Sequence, residues 1–320
     1  MLTGKEHPSM YDIVALGELL IDFIPDGGHR PAFTQNPGGA PANLLAATAK
    51  LGANTALIGC VGEDSFGHFL ISAVAEQGIC TDHIRRHPTA PTTLAFVHLD
   101  ATGERSFSFY RNPGADVMLS EEDVSPSLLQ SCRVFHFGSL SLTHEPARNA
   151  TRFAVEQAEK SGALISFDPN YRPPLWPSAE AAKEQILSLL PLAHILKVSE
   201  EELELLTGTA DPAEGSAQLS ALGPSLVFVT LGAKGAFCRW KDTCISVAAP
   251  KVEAVDTTGC GDGFFGAVLS LLCRLDLNLL TPDELEEITA FGCAAGSIVA
   301  ARPGALAVMP IREEIEAILK

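Results

Sequence analysis

Apolar and polar positions follow one another along this chain in blocks of regularly changing length. Short apolar runs bounded by Gly, Asn or Asp predict buried strands: Ile13 to Leu16 running into Gly17, then "NTALIGCVG", "RVFHFGSL", "ALISFDPN", "HILKVS" and "SLVFVTLG". Segments of helical period lie between them. "GGAPANLLAATAKLGA" reads as a glycine turn and a helix, with Pro41 in the first turn and Gly52 at its end. "DSFGHFLISAVAEQG" has Asp64 or Ser65 to cap it and Gly78 to stop it. Further helices are predicted in "EPARNATRFAVEQAEKSG", "AEAAKEQILSLLPLA", "EEELELLTG", "TPDELEEITAFGCAAGSIVAA" and "REEIEAILK". The fourth of these opens on a capping box, Thr281 to Glu284, with Pro282 in its first turn. Strands alternating with helices at this spacing predict an α/β fold with a mostly parallel sheet between helices.

Two segments break the alternation. "TTLAFVHLDATGERSFSFYRN" is a hairpin around "DATGE", in which Phe107 and Phe109 alternate with Ser106, Ser108 and Tyr110. No helix neighbours it, so it belongs to a small sheet outside the main body: a lid, an oligomer surface or a decoration. "GAFCRW" and "TCISVAA" form a second hairpin. No repeat or long linker divides the chain, so residues 1–320 read as one domain.

Composition narrows the picture. With 46% hydrophobic residues in 320, the chain can bury a large core. A formal charge of -17 argues against non-specific binding to nucleic acid or anionic membrane, but not against an anionic nucleotide in a locally positive site. Eight cysteines without a C-x-x-C pair read as reduced thiols of a cytoplasmic protein. The opening "MLTGKEHPSM" has no apolar signal core, and no apolar run reaches the roughly 18 residues of a membrane span. The nine histidines form no metal-site pattern, and His98 and His136 read as strand residues. Neither a G-x-S-x-G elbow nor a Walker A loop is present.

The densest chemistry lies in "VDTTGCGDGFFGAV". "GDGFFG" matches G-x-G-x-x-G, but a dinucleotide fingerprint follows the first strand of its unit and has an acid at the end of the next strand, whereas this match lies late in the chain and a helix follows it. Read whole, Val252 to Val255 ends a strand. Gly259, Cys260 and Gly261 turn tightly, and "DGFFGAVLSLLC" is a helix with Phe264, Val268, Leu271 and Leu272 on its apolar side. Free N–H groups then converge at the positive end of a helix and make an anion hole. Asp262 is either a cap or first-turn acid, worth about 0.5–2 kcal/mol as a cap, or a base beside a transferring phosphoryl group. Two unit charges about 4 Å apart repel by about 4 kcal/mol at an effective dielectric of 20. A carboxylate beside a phosphate therefore has to work or to meet a metal, and the flanking glycines suit close approach of a phosphate.

"DTTGCGD" resembles the D-T-x-G-A-G-D signature of the ribokinase/PfkB carbohydrate kinases. "GGAPANLLAATAKLGANTALIGCVGEDSFG" resembles that family's other signature, at the opposite end of the chain and in the family's order. "FYRNPGADVML", "FDPNYRPPLWPS" and "LKVSEEELELLTG" resemble its fructokinase branch, and the likeness runs from Tyr11 to Pro310. It implies a ribokinase-like fold with a small β-sheet lid, built here from about 18–36 and 91–112. It also implies transfer of the γ-phosphoryl of ATP to a sugar hydroxyl with Mg²⁺. By the resemblance Asp262 is the base, and Gly259, Cys260 (Ala in the family) and Gly261 form the anion hole. Asp22, Gly38, Gly39 and Asn43 bind the sugar, and Arg111 lies near the substrate or its phosphate. Asn170 and Arg172, with Asp168 beside them, lie near the ATP phosphates. Lys197 stands where the family has Asn, and Glu200 acts on magnesium through water. Thr230, Gly232 and Gly235 form the nucleotide turn, with Lys234 exposed. Cys293 stands where relatives have an Asn near the adenine. Asp256 and Thr258, with backbone carbonyls around Arg302 and Gly304, match a potassium site.

Three readings follow. The first is a fructokinase. The second is a kinase for another sugar or sugar acid, such as 2-keto-3-deoxygluconate or ribose, with Arg111 as the cation that an acid needs. The third is a non-catalytic sugar- or nucleotide-binding regulator. Sugar and ATP are the expected partners, with a homodimer possible through the lid and no nucleic acid or membrane.

Overall fold

A computed structural model describes residues 11–25, 32–99 and 105–320. In chain order the strands are β1 (Tyr11–Leu16), β2 (Leu20–Pro25), β3 (Phe33–Gly38), β4 (Thr55–Gly62), β5 (Ile84–His87), β6 (Thr93–Leu99), β7 (Arg105–Tyr110), β8 (Cys132–Gly138), β9 (Leu164–Asp168), β10 (Ile195–Ser199), β11 (Leu226–Thr230), β12 (Ala236–Trp240) and β13 (Thr243–Val247). The helices are α1 (Ala40–Lys50), α2 (Ser65–Glu76), α3 (Pro126–Leu129), α4 (Ala147–Lys160), α5 (Ala179–Leu189), α6 (Glu200–Thr207), α7 (Pro212–Ser220), α8 (Cys260–Leu272), α9 (Pro282–Ala300) and α10 (Arg312–Ile318).

Nine strands form one sheet in the order β13-β12-β11-β10-β9-β8-β1-β4-β5. It is parallel from β5 through β11 and antiparallel only at the β12–β13 edge. Period-two alternation sends neighbouring side chains of β1 to opposite faces. Val14 and Leu16 join Phe135, Phe137 and Phe167 in the core under α4 and α5. Ile13 and Ala15 join Leu45, Phe228 and Phe265 in the core under α1 and α8. Both faces are covered, which is why these strands read as continuous apolar runs. A Cβ at Gly266 would lie 2.7 Å from Ala47 Cβ and from Leu44 O, so glycine is what lets α8 approach α1.

Four strands form a second sheet in the order β3-β2-β6-β7. The register sets Asp22 beside Ala95, and Ala95 beside Phe109, on one face. Phe23 and Phe96 stack on the other face with centroids 4.8 Å apart, and Phe33 meets Phe96 edge-on. Phe33 and Tyr110 are exposed there.

The anticipated helix ends hold. Asp64 accepts from Gly67 N at 2.8 Å, and Thr281 and Glu284 form their reciprocal box. The "DATGE" turn and the "MLTGKEHPSM" opening lie outside the described residues. Val252 to Val255 is not the end of a strand: the segment is irregular, and Val252 and Val255 are exposed. β13 is the last strand of its sheet, and Val255 N–H bonds Ala300 O at the end of α9 at 2.7 Å instead of joining a ladder. β3, with the polar sequence "FTQNPG", shows no apolar alternation and becomes a strand by pairing with β2 along its whole length.

Candidate active site

Parallel strands direct their carboxyl ends to one edge of the sheet, and ligand crevices form there. Glu18 follows β1, Asn170 follows β9, Glu200 follows β10 and Gly232 follows β11, and all four line a single cavity of about 580 Å³. The small sheet closes its other side with Leu20, Asp22 and Phe109. A second cavity of about 490 Å³ shares Thr230, Gly232, Thr257 and Gly261 with the first. Its far wall is largely apolar: Ala249, Pro250, Val252, Phe264, Cys293 and Ala300.

α8 begins between the two cavities. Gly259 is its N-cap, in the left-handed conformation (φ 76°) and without a side-chain cap. Cys260 and Gly261 are therefore the first helical residues, not a separate turn. Asp262 is the third, so it is a first-turn acid and not the cap, a position that is also open to a base facing the cavity. The N–H groups of this first turn have no intrahelical acceptors. A Cβ on Gly261 would lie 3.1 Å from Lys197 Nζ, so glycine keeps backbone and ammonium close.

Asp262 is buried, and its Oδ2 accepts from Asn43 Nδ2 at 2.9 Å, a contact between residues 219 apart in sequence. Burial pushes its carboxyl up to about 6, and the Asp168 carboxylate adds to that, while Asn43, Lys197 and Arg172 oppose it. Lys197, buried on β10, holds the Asp168 carboxylate at 3.0 and 3.2 Å. Burial alone would lower the Lys197 ammonium, but Asp168, Glu202 and Asp262 together hold it above its ordinary value. Asn170 has φ 47°, a left-handed conformation that Asn tolerates, and its N–H bonds Asp168 Oδ1 at 3.2 Å. The Ser199 hydroxyl caps α6 by accepting from Glu202 N at 3.1 Å, which sets Glu200 and Glu201 at the cavity wall.

The remaining expected residues divide into those at the walls and those behind them. Gly39 and Asn43 line the first cavity with Asp22. Gly38 does not; it leaves room for the Asp22 carboxylate, which a Cβ there would strike. Gly235 and Cys293 line the second cavity. Lys234 is exposed and pairs with Glu200 at 3.2 Å. Asp256 is buried and accepts from Thr258 N at 2.7 Å and from Gly304 N at 3.1 Å, which ties the loop before α8 to the loop after α9. The Arg302 side chain turns away, to Glu314 and to Val308 O.

Arg111 stands against the cavity wall, bonded to the lining residue Leu140. It is not among the cavity residues. Its guanidinium is buried behind them, 2.6 Å from Asp116 and bonded to Thr143 Oγ1 and Leu140 O. Asp116 sits five residues on and draws the arginine back under the small sheet. Glu18 and Glu202 were not anticipated. Glu202 accepts from Tyr171 N at 2.7 Å and from Ser199 N at 2.8 Å, fixing the "DPNYR" loop to α6. Glu18 is buried at the first cavity, and only its place just past a strand end marks it in the sequence.

This arrangement can hold a polyhydroxylated molecule in the polar cavity and a flat ring in the apolar one. An anion would lie between them at the start of α8, beside a buried carboxylate. A family model described as pfkB family carbohydrate kinase matches residues 10–312. Fructokinase-2 of Solanum habrochaites is 44% identical over 315 residues, spanning 96% of this chain and 96% of that one. A solved fructokinase with bound ATP from Xylella fastidiosa has a TM-score of 0.89 at 34% identity, covering 97% of this chain and 98% of its own. A fructokinase from Vibrio cholerae O395, solved in a fructose-, ADP- and calcium-bound form, has a TM-score of 0.88 at 33% identity, covering 96% and 99%.

Proposed function

Because the chain belongs to the pfkB family of carbohydrate kinases and has a ribokinase-like fold, we propose that it transfers the γ-phosphoryl of ATP to D-fructose, giving fructose 6-phosphate and ADP. The observation that carries this reading is Asp262, a buried carboxylate at the first turn of α8, where the polar and apolar cavities meet. The relatives' fructose and ATP supply the substrates.

In this reading the sugar lies against Asp22, Gly39 and Asn43. Asp22, a carboxylate, accepts from two hydroxyls at once. The attacking hydroxyl faces Asp262, which takes its proton as the oxygen attacks phosphorus in line. N–H groups of Gly259, Cys260 and Gly261 receive charge on the moving phosphoryl group. Lys197, held by Asp168, and Asn170 and Arg172 flank the phosphates, while Thr230, Gly232, Gly235 and Cys293 bound the nucleotide. The Asn43–Asp262 hydrogen bond couples sugar placement to the base. The four-stranded sheet acts as a lid whose closure excludes water, and its exposed Phe33 and Tyr110 face is where a second copy would pair.

Glu200 and Glu201 fit magnesium held through water, since Mg²⁺ keeps most of its waters and takes phosphate oxygens; it would neutralise charge on the phosphates. Asp256, Thr258 and the carbonyls of Arg302 and Gly304 fit a potassium ion, which would brace the loop before α8. Among the described residues no helix is long and apolar enough to cross a membrane, and eight free cysteines fit a reducing compartment such as the cytosol.

The sugar-acid alternative loses support from Arg111, whose charge is taken by Asp116, and from the acids Glu18, Asp22 and Asp262 at the cavity. A panel assay decides. ATP-dependent phosphorylation should favour fructose over ribose and 2-keto-3-deoxygluconate at least tenfold in kcat/KM. A reversed order moves the substrate assignment, and no turnover with any sugar leaves the binding-only regulator.

A further inference from the structure

The small sheet joins the body through four crossings, and two of them meet at one side chain. The link from β1 to β2 is residues 17–19, and the link from β3 to α1 is Gly39. Glu18, in the first link, sends Oε1 to the N–H of Ala40 just past the second, at 2.9 Å. Gly39, at φ 124°, lies so close to the Glu18 carbonyl that a Cβ there would strike it. The side chain is therefore clamped between the two links, 4% exposed, and Glu18 also lines the polar cavity with Asp22, Gly39, Ala40 and Asn43. The other two crossings are held by Asp116, which takes Thr93 Oγ1 at 2.5 Å and the Arg111 guanidinium.

We propose that Glu18 is a second sugar-binding carboxyl at the lid hinge, acting as a carboxylic acid: Oε1 keeps the Ala40 N–H while the other oxygen donates its proton in a hydrogen bond to the sugar. This rests on the sugar-kinase reading and deepens it. Asp22 as a carboxylate can only accept, whereas a protonated Glu18 can give a hydrogen bond to a sugar oxygen. The pair would bind a hydroxylated ring without setting two negative charges against it.

The surroundings favour the protonated form. Burial pushes the Glu18 carboxyl up to about 7, and Asp116 adds to that, while its own backbone, the Ala40 N–H and Arg111 oppose it. The other charged groups at this cavity are Asp22 on β2, Arg172 after β9, Lys197 on β10, Glu200 and Glu201 on α6 and Asp262 on α8, with His144 near Arg111 and Asp116.

The test is equilibrium sugar binding without ATP, by calorimetry from pH 5.5 to 8.5, on wild type, Glu18→Gln and Glu18→Ala, with melting temperatures alongside. Proton donation makes the acid the binding form, so wild-type affinity for fructose should be full below pH 7 and weaken by about tenfold per unit above it. Glu18→Gln keeps an acceptor for Ala40 and a neutral donor for the sugar. It should bind within about threefold of wild type at pH 6, with a flat pH profile. Glu18→Ala should raise Kd for fructose at least tenfold at pH 6, and in a parallel ATP-coupled assay it should raise KM for fructose to match while kcat at saturation stays within a few-fold. A purely structural latch would move melting temperature in Glu18→Ala but leave the pH profile of Glu18→Gln like that of wild type, and that result overturns the proposal. Wild-type affinity independent of pH overturns it as well. If another panel sugar is bound in place of fructose, the same titration is run with that sugar, and the substrate assignment fails separately. Binding of no sugar at any pH overturns both.

Discussion

Asp262→Asn removes the base while keeping the shape of the side chain. The substituted amide can still offer an oxygen to Asn43 Nδ2, which lies 2.9 Å from Oδ2. Two effects of opposite sign should follow. Loss of proton abstraction lowers kcat by about 10²- to 10⁴-fold, or roughly 3–5 kcal/mol of transition-state stabilisation. Loss of a buried charge raises stability. The carboxyl moves from 3.8 to about 6 on folding, and at 1.36 kcal/mol per unit its ionised form is costlier in the folded protein by about 3 kcal/mol at pH 8. Because the folded value is raised, wild type loses this stability as pH rises from about 4 through about 6. The advantage of the variant should therefore be near zero at pH 4 and fully present at pH 8. The assays are coupled ADP release with saturating sugar and ATP from pH 5 to 9, and urea unfolding at both pH extremes. Wild-type kcat should fall tenfold per unit below about pH 6, since the base works only when ionised, and this acid limb should be absent in the variant. Full turnover in Asp262→Asn, or an unchanged acid limb, would refute the base assignment. Lower stability of the variant at pH 8 would refute the electrostatic account.

Gly38→Ala places a Cβ against the Asp22 carboxylate; overpacking of about 1–3 kcal/mol should raise the fructose KM roughly 5- to 160-fold with the ATP KM unchanged, as read from initial rates. Lys197→Met leaves Asp168 buried and unpaired, so unfolding free energy should drop by about 3–5 kcal/mol and the ATP KM should rise at least tenfold. Asp256→Ala frees the N–H groups of Thr258 and Gly304. Any stimulation of wild type by potassium over sodium should vanish in this variant, and persistence of the stimulation would place the ion elsewhere.

The alternation of strands and helices, the caps at Asp64 and Thr281 and the glycine-flanked start of α8 are local facts. Each depends on neighbours within a few residues, where hydrophobic period, φ preference and side-chain capping act. They were legible in the sequence. β3 was not: "FTQNPG" is a strand only because β2 lies beside it in register. The setting of Arg111 was not legible either, because sequence shows a charge but not its direction. Asp116, Thr143 and Leu140 decide that direction, and the last two come from the segment after β8.

The site divides in the same way. The chain by itself determined that a helix starts with glycines around Asp262, and that an anion would be favoured there. Only the tertiary structure brought Asn43 to Asp262, set Lys197 on Asp168 beneath Gly261, and buried Glu18 between two lid crossings. A carboxylate's ionisation depends on which charges and how much water surround it. Those neighbours come from strands and helices far apart in sequence, so the chemical character of Asp262 and Glu18 exists only once the sheet has gathered its strand ends at one edge.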